Sequence, residues 1–268
     1  MAFYKVIACE IALREICQVA ARSRSLLDLE FVTQGLHDTP STGGTEIQRR
    51  IDAVPEGRYD AILLGYGLCG NLIRGLRARR IPLVLPRAHD CITFFLGSRE
   101  RYQHRLEANP GTYYYTSGWL ECLRRRGAKD MPMGAGFLPT RADGQGDREA
   151  LLAKWSEKYG EEEARYLLET MDDWSRHYSH GALIDFDFSK PLQLERQVRG
   201  ICASRGWQFE AVEGDLGLLQ RWVDGEWSEQ EFLVLRPDAE VVPAYDGTVV
   251  TAREGSAPPP PPEGKSEA

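Results

Sequence analysis

A chain of 268 residues, 42% hydrophobic and 27% charged with both signs intermixed, has the make-up of an ordinary water-soluble fold with a substantial core. Its 40 acidic against 33 basic residues leave a net charge of -7, a field that repels polyanions, so no nucleic acid partner is expected. The opening MAFYKVIACEIALREIC lacks a secretory pattern and no apolar run approaches the length of a span, so no membrane segment is expected and a cytoplasmic location is.

Tyr4 to Cys9 is a short apolar run that reads as a strand, and Leu13, Ile16, Cys17 and Ala20 give the next segment helical spacing. Leu26 to Val32 reads as a second strand, and Thr45 is placed to cap a helix that ends before Pro55. Tyr59 to Gly65 lacks alternation, which predicts a strand buried on both faces. A helix from about Gly70 to Arg79, with Arg74, Arg77, Arg79 and Arg80 favoured by its C-terminal dipole, leads to a fourth strand, Ile81 to Leu85, bounded by Pro86. After Cys91 a helix runs through Arg101 and His104 to Leu106, and Gly111 to Tyr115 resembles a short strand.

Residues 128–146, loose in Gly, Pro and Met, read as an excursion or lid, and Arg148 to Tyr178 as helical throughout. Alternation then resumes with a strand at Ala182 to Phe186, a helix at Pro191 to Ser204, a strand at Trp207 to Val212, a helix at Asp215 to Val223 and a strand at Phe232 to Leu235. These strands belong in the first sheet or in a second half facing it. The expected class is therefore α/β, a mostly parallel sheet flanked by helices in a Rossmann-like or flavodoxin-like three-layer arrangement, with a helical insertion around 120–180. One domain over 1–252 is followed by a proline-rich tail, 253–268, too polar to order itself.

In an open parallel sheet, ligands bind beyond the carboxyl ends of the strands. There the sequence gathers Cys9 and Glu10, the stretch Gly67 to Asn71, Arg87 to Cys91, Tyr115 to Trp119, and later Asp185, Asp187 and Glu213. Of the six cysteines, thiols rather than disulfides in a reducing compartment, Cys9, Cys69 and Cys91 fall on this rim. With His89 they compose a Cys3His set suited to zinc, or to iron or an iron–sulfur cluster. His89 and Cys91 are two apart, so an extended backbone points both side chains the same way. Each cysteine alone could equally be core, and Cys17, Cys122 and Cys202 are assigned to packing on helix faces.

Two further readings attach to the rim. Gly65, Gly67 and Gly70 after a strand could let backbone N–H groups cradle a cofactor phosphate at the next helix N-terminus, which would also lower the pKa of Cys69. The run lacks both the full Gly-x-Gly-x-x-Gly form and a Walker lysine. Trp119, beside Tyr114 and Tyr115, is a candidate wall of a small-molecule pocket, and Glu213 a candidate base or helix cap.

The N-terminal strand ending in Ala-Cys, then GYGLCGN, PRAHDCITFFLGSRERY, YYYTSGW and EGDLGLLQRWVDGEW together resemble the bacterial and archaeal family known as domain of unknown function 1638, over about residues 4–236. The resemblance marks Cys69, His89 and Cys91 as motif positions and implies companionship with corrinoid-dependent methyl-transfer systems. Cobalamin-linked methyltransferases that activate a thiol hold zinc with a similar His-x-Cys and distant Cys, on a different fold. The expected function is a metal-dependent, zinc-thiolate enzyme performing methyl or alkyl transfer on a small molecule. The alternative is a non-catalytic protein delivering a metal, cluster or corrinoid to a methyltransferase.

Overall fold

The computed structural model describes residues 1–38, 40–126, 152–153, 155–173 and 177–254. Its centre is β1 (Phe3–Cys9), whose Val6, Ile7 and Ala8 are fully buried. β1 pairs in parallel with β2 (Leu26–Val32) on one side and β3 (Ala61–Gly65) on the other. β4 (Leu83–Pro86) continues the parallel sheet beside β3, and β8 (Phe232–Leu235) closes it antiparallel to β4. The order is β2-β1-β3-β4-β8. All five residues of β3 are buried, as an unbroken apolar run requires of a strand covered on both faces.

The chain steps from β1 outward to β2 and returns past β1 to β3. Right-handed crossovers in opposite directions put α1 (Leu13–Ala20) on one face and α2 (Pro40–Asp52) on the other. The order therefore reverses between β1 and β3, and a crevice opens beyond their carboxyl ends. α8 (Gly217–Asp224) packs beside α1; its fully buried Trp222 donates its indole N–H to the Val84 carbonyl at 3.3 Å, which pins the helix to the sheet. α3 (Ile92–Leu96) and α4 (Arg99–Ala108) lead from β4 to the second sheet, whose first strand is followed by α5 (Ser117–Arg126); α6 (Glu161–Asp173) and α7 (Leu194–Arg205) come later.

β5 (Thr112–Tyr115), β6 (His180–Asp185) and β7 (Gln208–Glu213) form a separate parallel sheet in the order β5-β6-β7. Period-two alternation along β6 sends Ala182 and Ile184 into the main core and Leu183 into a smaller cluster with Val198, Ile201 and Cys202 of α7. β9 (Glu240–Pro243) and β10 (Val250–Arg253) make an antiparallel pair. The fold is thus an α/β arrangement of mostly parallel strands flanked by helices, with the late strands divided between the two sheets.

Several expected elements differ. No helix forms over Gly70 to Arg79: Cys69, Gly70 and Asn71 have φ of 45°, 64° and 73°, a left-handed run incompatible with a helix start. Its backbone is instead recruited by the C-terminal hairpin, with Gly75 and Ala78 N–H donating to the carbonyls of Val241 and Ala239. The helix after Cys91 is two helices, broken at Gly97 (φ 78°) against the Asp215 side chain and restarted by Ser98, whose hydroxyl accepts from the Arg101 N–H. α2 begins at Pro40, ahead of Thr45, because proline is well tolerated in the first helical turn. Gly160 (φ 92°) interrupts the long helix expected over Arg148 to Tyr178. The segment 128–146 and the tail from 255 lie outside the described residues.

Candidate functional site

The strand connections beyond β3 and β4 run side by side, the Leu68 N–H donating to the Ala88 carbonyl and the Cys69 N–H to the His89 carbonyl, each at 2.8 Å. Gly67 permits this approach, since a Cβ there would lie 2.8 Å from the Asp90 Cα. Cys69 and Cys91 are thereby brought together beyond the two strand ends, with Cys9 at the end of the neighbouring β1. Cys69 and Cys91 are partly covered as residues, yet their sulfurs lie deep among protein atoms.

Burial, and after it the Asp90 charge, pushes the Cys69 thiol up to about 12. Burial raises the Cys91 thiol well above its ordinary value, with Asp90, Cys69 and Cys9 adding repulsion. Cys9 is raised chiefly by burial, with Cys69 contributing. Each thiol therefore feels a neighbour's charge, and no helix starts after Cys69, so the expected lowering of its pKa is overturned. Left to themselves, the three sulfurs stay protonated.

His89 is exposed, and the chain bends at His89 and Asp90 instead of running extended, so the same-side geometry expected for His89 and Cys91 does not hold. It contributes its backbone carbonyl. The imidazole near the thiols is that of His37, whose Nε2 lies 3.6 Å from the Cys9 Sγ and whose ring stacks on Tyr66 with centroids 6.1 Å apart. Tyr66 hydroxyl is buried without a hydrogen-bond partner and senses both Cys9 and Cys69. Glu10 braces this corner, its Oε1 accepting from the Gln34 N–H at 2.8 Å and the Thr33 hydroxyl at 3.0 Å. Among the described residues, no three His, Cys, Asp or Glu side chains form a group laid out to hold a metal ion. The thiols are neighbours without being a finished coordination sphere.

Gly65 and Gly67 serve close packing, and Gly70 serves a left-handed backbone turn. A Cβ at Gly65 would lie 2.5 Å from the Ala8 Cβ, whereas one at Gly70 would meet nothing. With no helix after them, Gly65, Gly67 and Gly70 lack the N-terminal donors that a phosphate cradle needs. Among the other cysteines, Cys122 and Cys202 are buried on α5 and α7, but Cys17 on α1 is exposed, contrary to its assignment to packing.

Cys91 has a second neighbour, a cavity of about 310 Å³ between α3, α4, β5 and α5. Asp90, Cys91, Tyr102, Tyr113, Tyr114 and Trp119 are among its lining. Trp119 thus stands in a pocket wall, its indole N–H donating to the Tyr113 hydroxyl at 3.0 Å. Both Asp90 oxygens accept hydrogen bonds, Oδ1 from the Ile92 N–H at 2.9 Å and Oδ2 from the Tyr102 hydroxyl at 3.0 Å, while burial raises its pKa. Glu213 is outside this lining: it is exposed at the end of β7, paired in register with Asp185, and its carbonyl accepts from Arg101. Asp185 accepts from the Ser189 hydroxyl and Asp215 from the Gly217 N–H, so both serve the turns that follow their strands.

Sequence reasoning missed His37, Tyr66, Asp90 and Tyr102. A signal existed for His37: a strand order with β2 beside β1 brings the loop after β2 to the same rim as Cys9. No curated protein and no solved structure matches the chain. Residues 31–223, more than half of the chain, match the family described as Protein of unknown function (DUF1638), and the chain belongs to that family.

Proposed function

We propose that the chain is a small-molecule enzyme whose reactive centre is a soft metal ion, zinc foremost, held by Cys9, Cys69 and Cys91 beside the aromatic cavity. One observation carries the reading: three of six cysteines, at or just beyond the ends of three different strands, lie on the rim where the strand order reverses, and one of them lines the cavity. Three deep sulfurs that repel one another as thiolates are poor nucleophiles without a cation, and a divalent ion reverses that by deprotonating its ligands. His37, at 3.6 Å from the Cys9 sulfur, is better positioned than the exposed His89 to supply a nitrogen ligand.

The cavity beyond Cys91 is at the small end of ligand pockets, which run about 300–1,000 Å³, and suits a metabolite rather than a dinucleotide. A thiolate-bound zinc ion facing such a pocket suits alkyl transfer involving a substrate heteroatom. The corrinoid protein or methyltransferase implied by the family resemblance is the partner within this same proposal.

The test is elemental analysis of protein purified without added metal, then of protein reloaded with zinc or iron. About one ion per chain is expected, with strong loss in Cys69→Ser and Cys9→Ser and none in His89→Ala. Folded, active protein without metal would end the reading.

A further inference from the structure

The cavity beside Cys91 is lined by the rings of Tyr102, Tyr113, Tyr114 and Trp119, and these do not lie parallel. Tyr102 and Tyr114 meet edge to face at 86°, and Tyr113 and Trp119 are tilted by 45°. Rings at such angles present π-faces and edges to one small volume from several directions. A purely apolar guest would be served by aliphatic walls as well as by these.

Among the described residues, the one acidic group in this lining is Asp90. Its two oxygens each accept a hydrogen bond, from the Ile92 N–H and the Tyr102 hydroxyl. Among the described residues no Arg or Lys lies within ion-pair distance of it. The nearest charged groups facing this region are accounted for. Arg105, over the Tyr114 ring at 5.7 Å, is paired with Glu210 at 2.5 Å, and His89 beside Asp90 is exposed to solvent. A partly covered carboxylate with no Arg or Lys partner among the described residues, set among aromatic faces, suits an organic cation: the rings attract the charge through their quadrupoles and a carboxylate balances it.

We infer that this cavity binds a small organic ammonium ion, alkylated at nitrogen. Alkylation is favoured because Asp90 and the ring faces offer charge and apolar contact, and Asp90 already spends both oxygens on protein donors. A quaternary or tertiary ammonium needs few hydrogen-bond acceptors, while a primary ammonium would have to satisfy three N–H groups. The inference names the substrate class of the site proposed above and rests on that reading only for the chemistry that follows binding.

Titration calorimetry of the full chain with tetramethylammonium and choline tests it. The neutral comparison is 3,3-dimethylbutan-1-ol, which has choline's shape with carbon in place of nitrogen. Saturable one-to-one binding of the two cations is expected, with the neutral alcohol at least about tenfold weaker. Asp90→Asn and Trp119→Leu should each weaken choline by about tenfold or more while the ligand-free protein still unfolds cooperatively. Should Asp90→Asn fail to fold, Trp119→Leu decides, because Trp119 lies at the partly covered wall.

Equal affinity for the alcohol, an Asp90→Asn variant that binds as wild type, or the absence of saturable cation binding would each overturn the inference. The titration is run with metal content measured in parallel. Cation binding by metal-free protein would support the pocket and sink the thiolate centre, whereas metal without cation binding would overturn the pocket and leave that centre standing.

Discussion

Gly67→Ala is the substitution on which the geometry of the rim bears most directly. A methyl group there would sit 2.8 Å from the Asp90 Cα, 2.9 Å from its backbone nitrogen and 3.0 Å from the Ala88 carbonyl oxygen. All three are backbone atoms held in place by the Leu68 and Cys69 hydrogen bonds to the facing connection, so no side chain can swing aside. Overpacking of this kind costs about 1–3 kcal/mol, and a rigid backbone puts Gly67 toward the upper end. For a chain of this size that corresponds to a fall in melting temperature of roughly 5 °C or more. Gly70→Ala is the matched control. Its φ of 64° strains alanine by about 1–2 kcal/mol, its Cβ meets nothing, and the stiffer unfolded chain offsets only about 0.4–1 kcal/mol of that, leaving a net loss of up to roughly 1 kcal/mol. Urea titrations of both variants should therefore separate them, with Gly67→Ala the more destabilised and also impaired in metal uptake, and Gly70→Ala within roughly 1 kcal/mol of wild type. A larger loss at Gly70 than at Gly67 would refute the view that Gly67 serves chain packing.

Glu15 is fully buried on α1, with one oxygen accepting from the Ser117 hydroxyl at 3.2 Å and the other unpartnered. Burial raises its pKa from 4.5 to about 7. The native state thus holds this proton more tightly than the unfolded chain, so stability falls as pH rises from about 4.5 to about 7 and levels off above. Glu15→Gln should remove that slope, gaining on wild type by up to roughly 3 kcal/mol between pH 4.5 and pH 8 in paired urea titrations; parallel pH profiles would rule this out. Cys17→Ser, at an exposed position, should change stability by less than about 0.5 kcal/mol, while Cys122→Ser, in the core with its Sγ donating to the Trp119 carbonyl, should cost about 1–3 kcal/mol by thermal unfolding.

The strands were the legible part of the sequence. Leu26 to Val32 matches β2 at both ends, and β3 and β8 follow from unbroken apolar runs; in β3 burial on both faces leaves little else that such a run can do. Which sheet a strand joins was less legible, since that depends on long-range pairing: β8 crosses from the second sheet's neighbourhood in sequence to lie against β4. The stretch from Gly70 to Arg79 failed for the same reason. Arginine, alanine and leucine favour helix locally, but Gly75 and Ala78 find their hydrogen-bond partners in Val241 and Ala239, residues far away in sequence.

The rim position of three cysteines was legible and the imidazole beside Cys9 was not, and the reason is the same in both cases. Placing Cys9, Cys69 and Cys91 required only that strand ends lie on one rim, a property of any parallel sheet. Placing a histidine beside them required the local backbone path, and His89 was assigned on the assumption of an extended chain that the bend at His89 and Asp90 breaks. That bend has its own logic. The chain must turn at once into α3, Asp90 makes the turn by accepting from the Ile92 N–H, and the turn leaves Asp90 in the cavity lining while His89 before it is exposed. The residue that shapes the turn is therefore the one that charges the pocket, and replacing Asp90 by asparagine, which can accept the same backbone hydrogen bond, separates the two roles: the turn should survive and the charge should not.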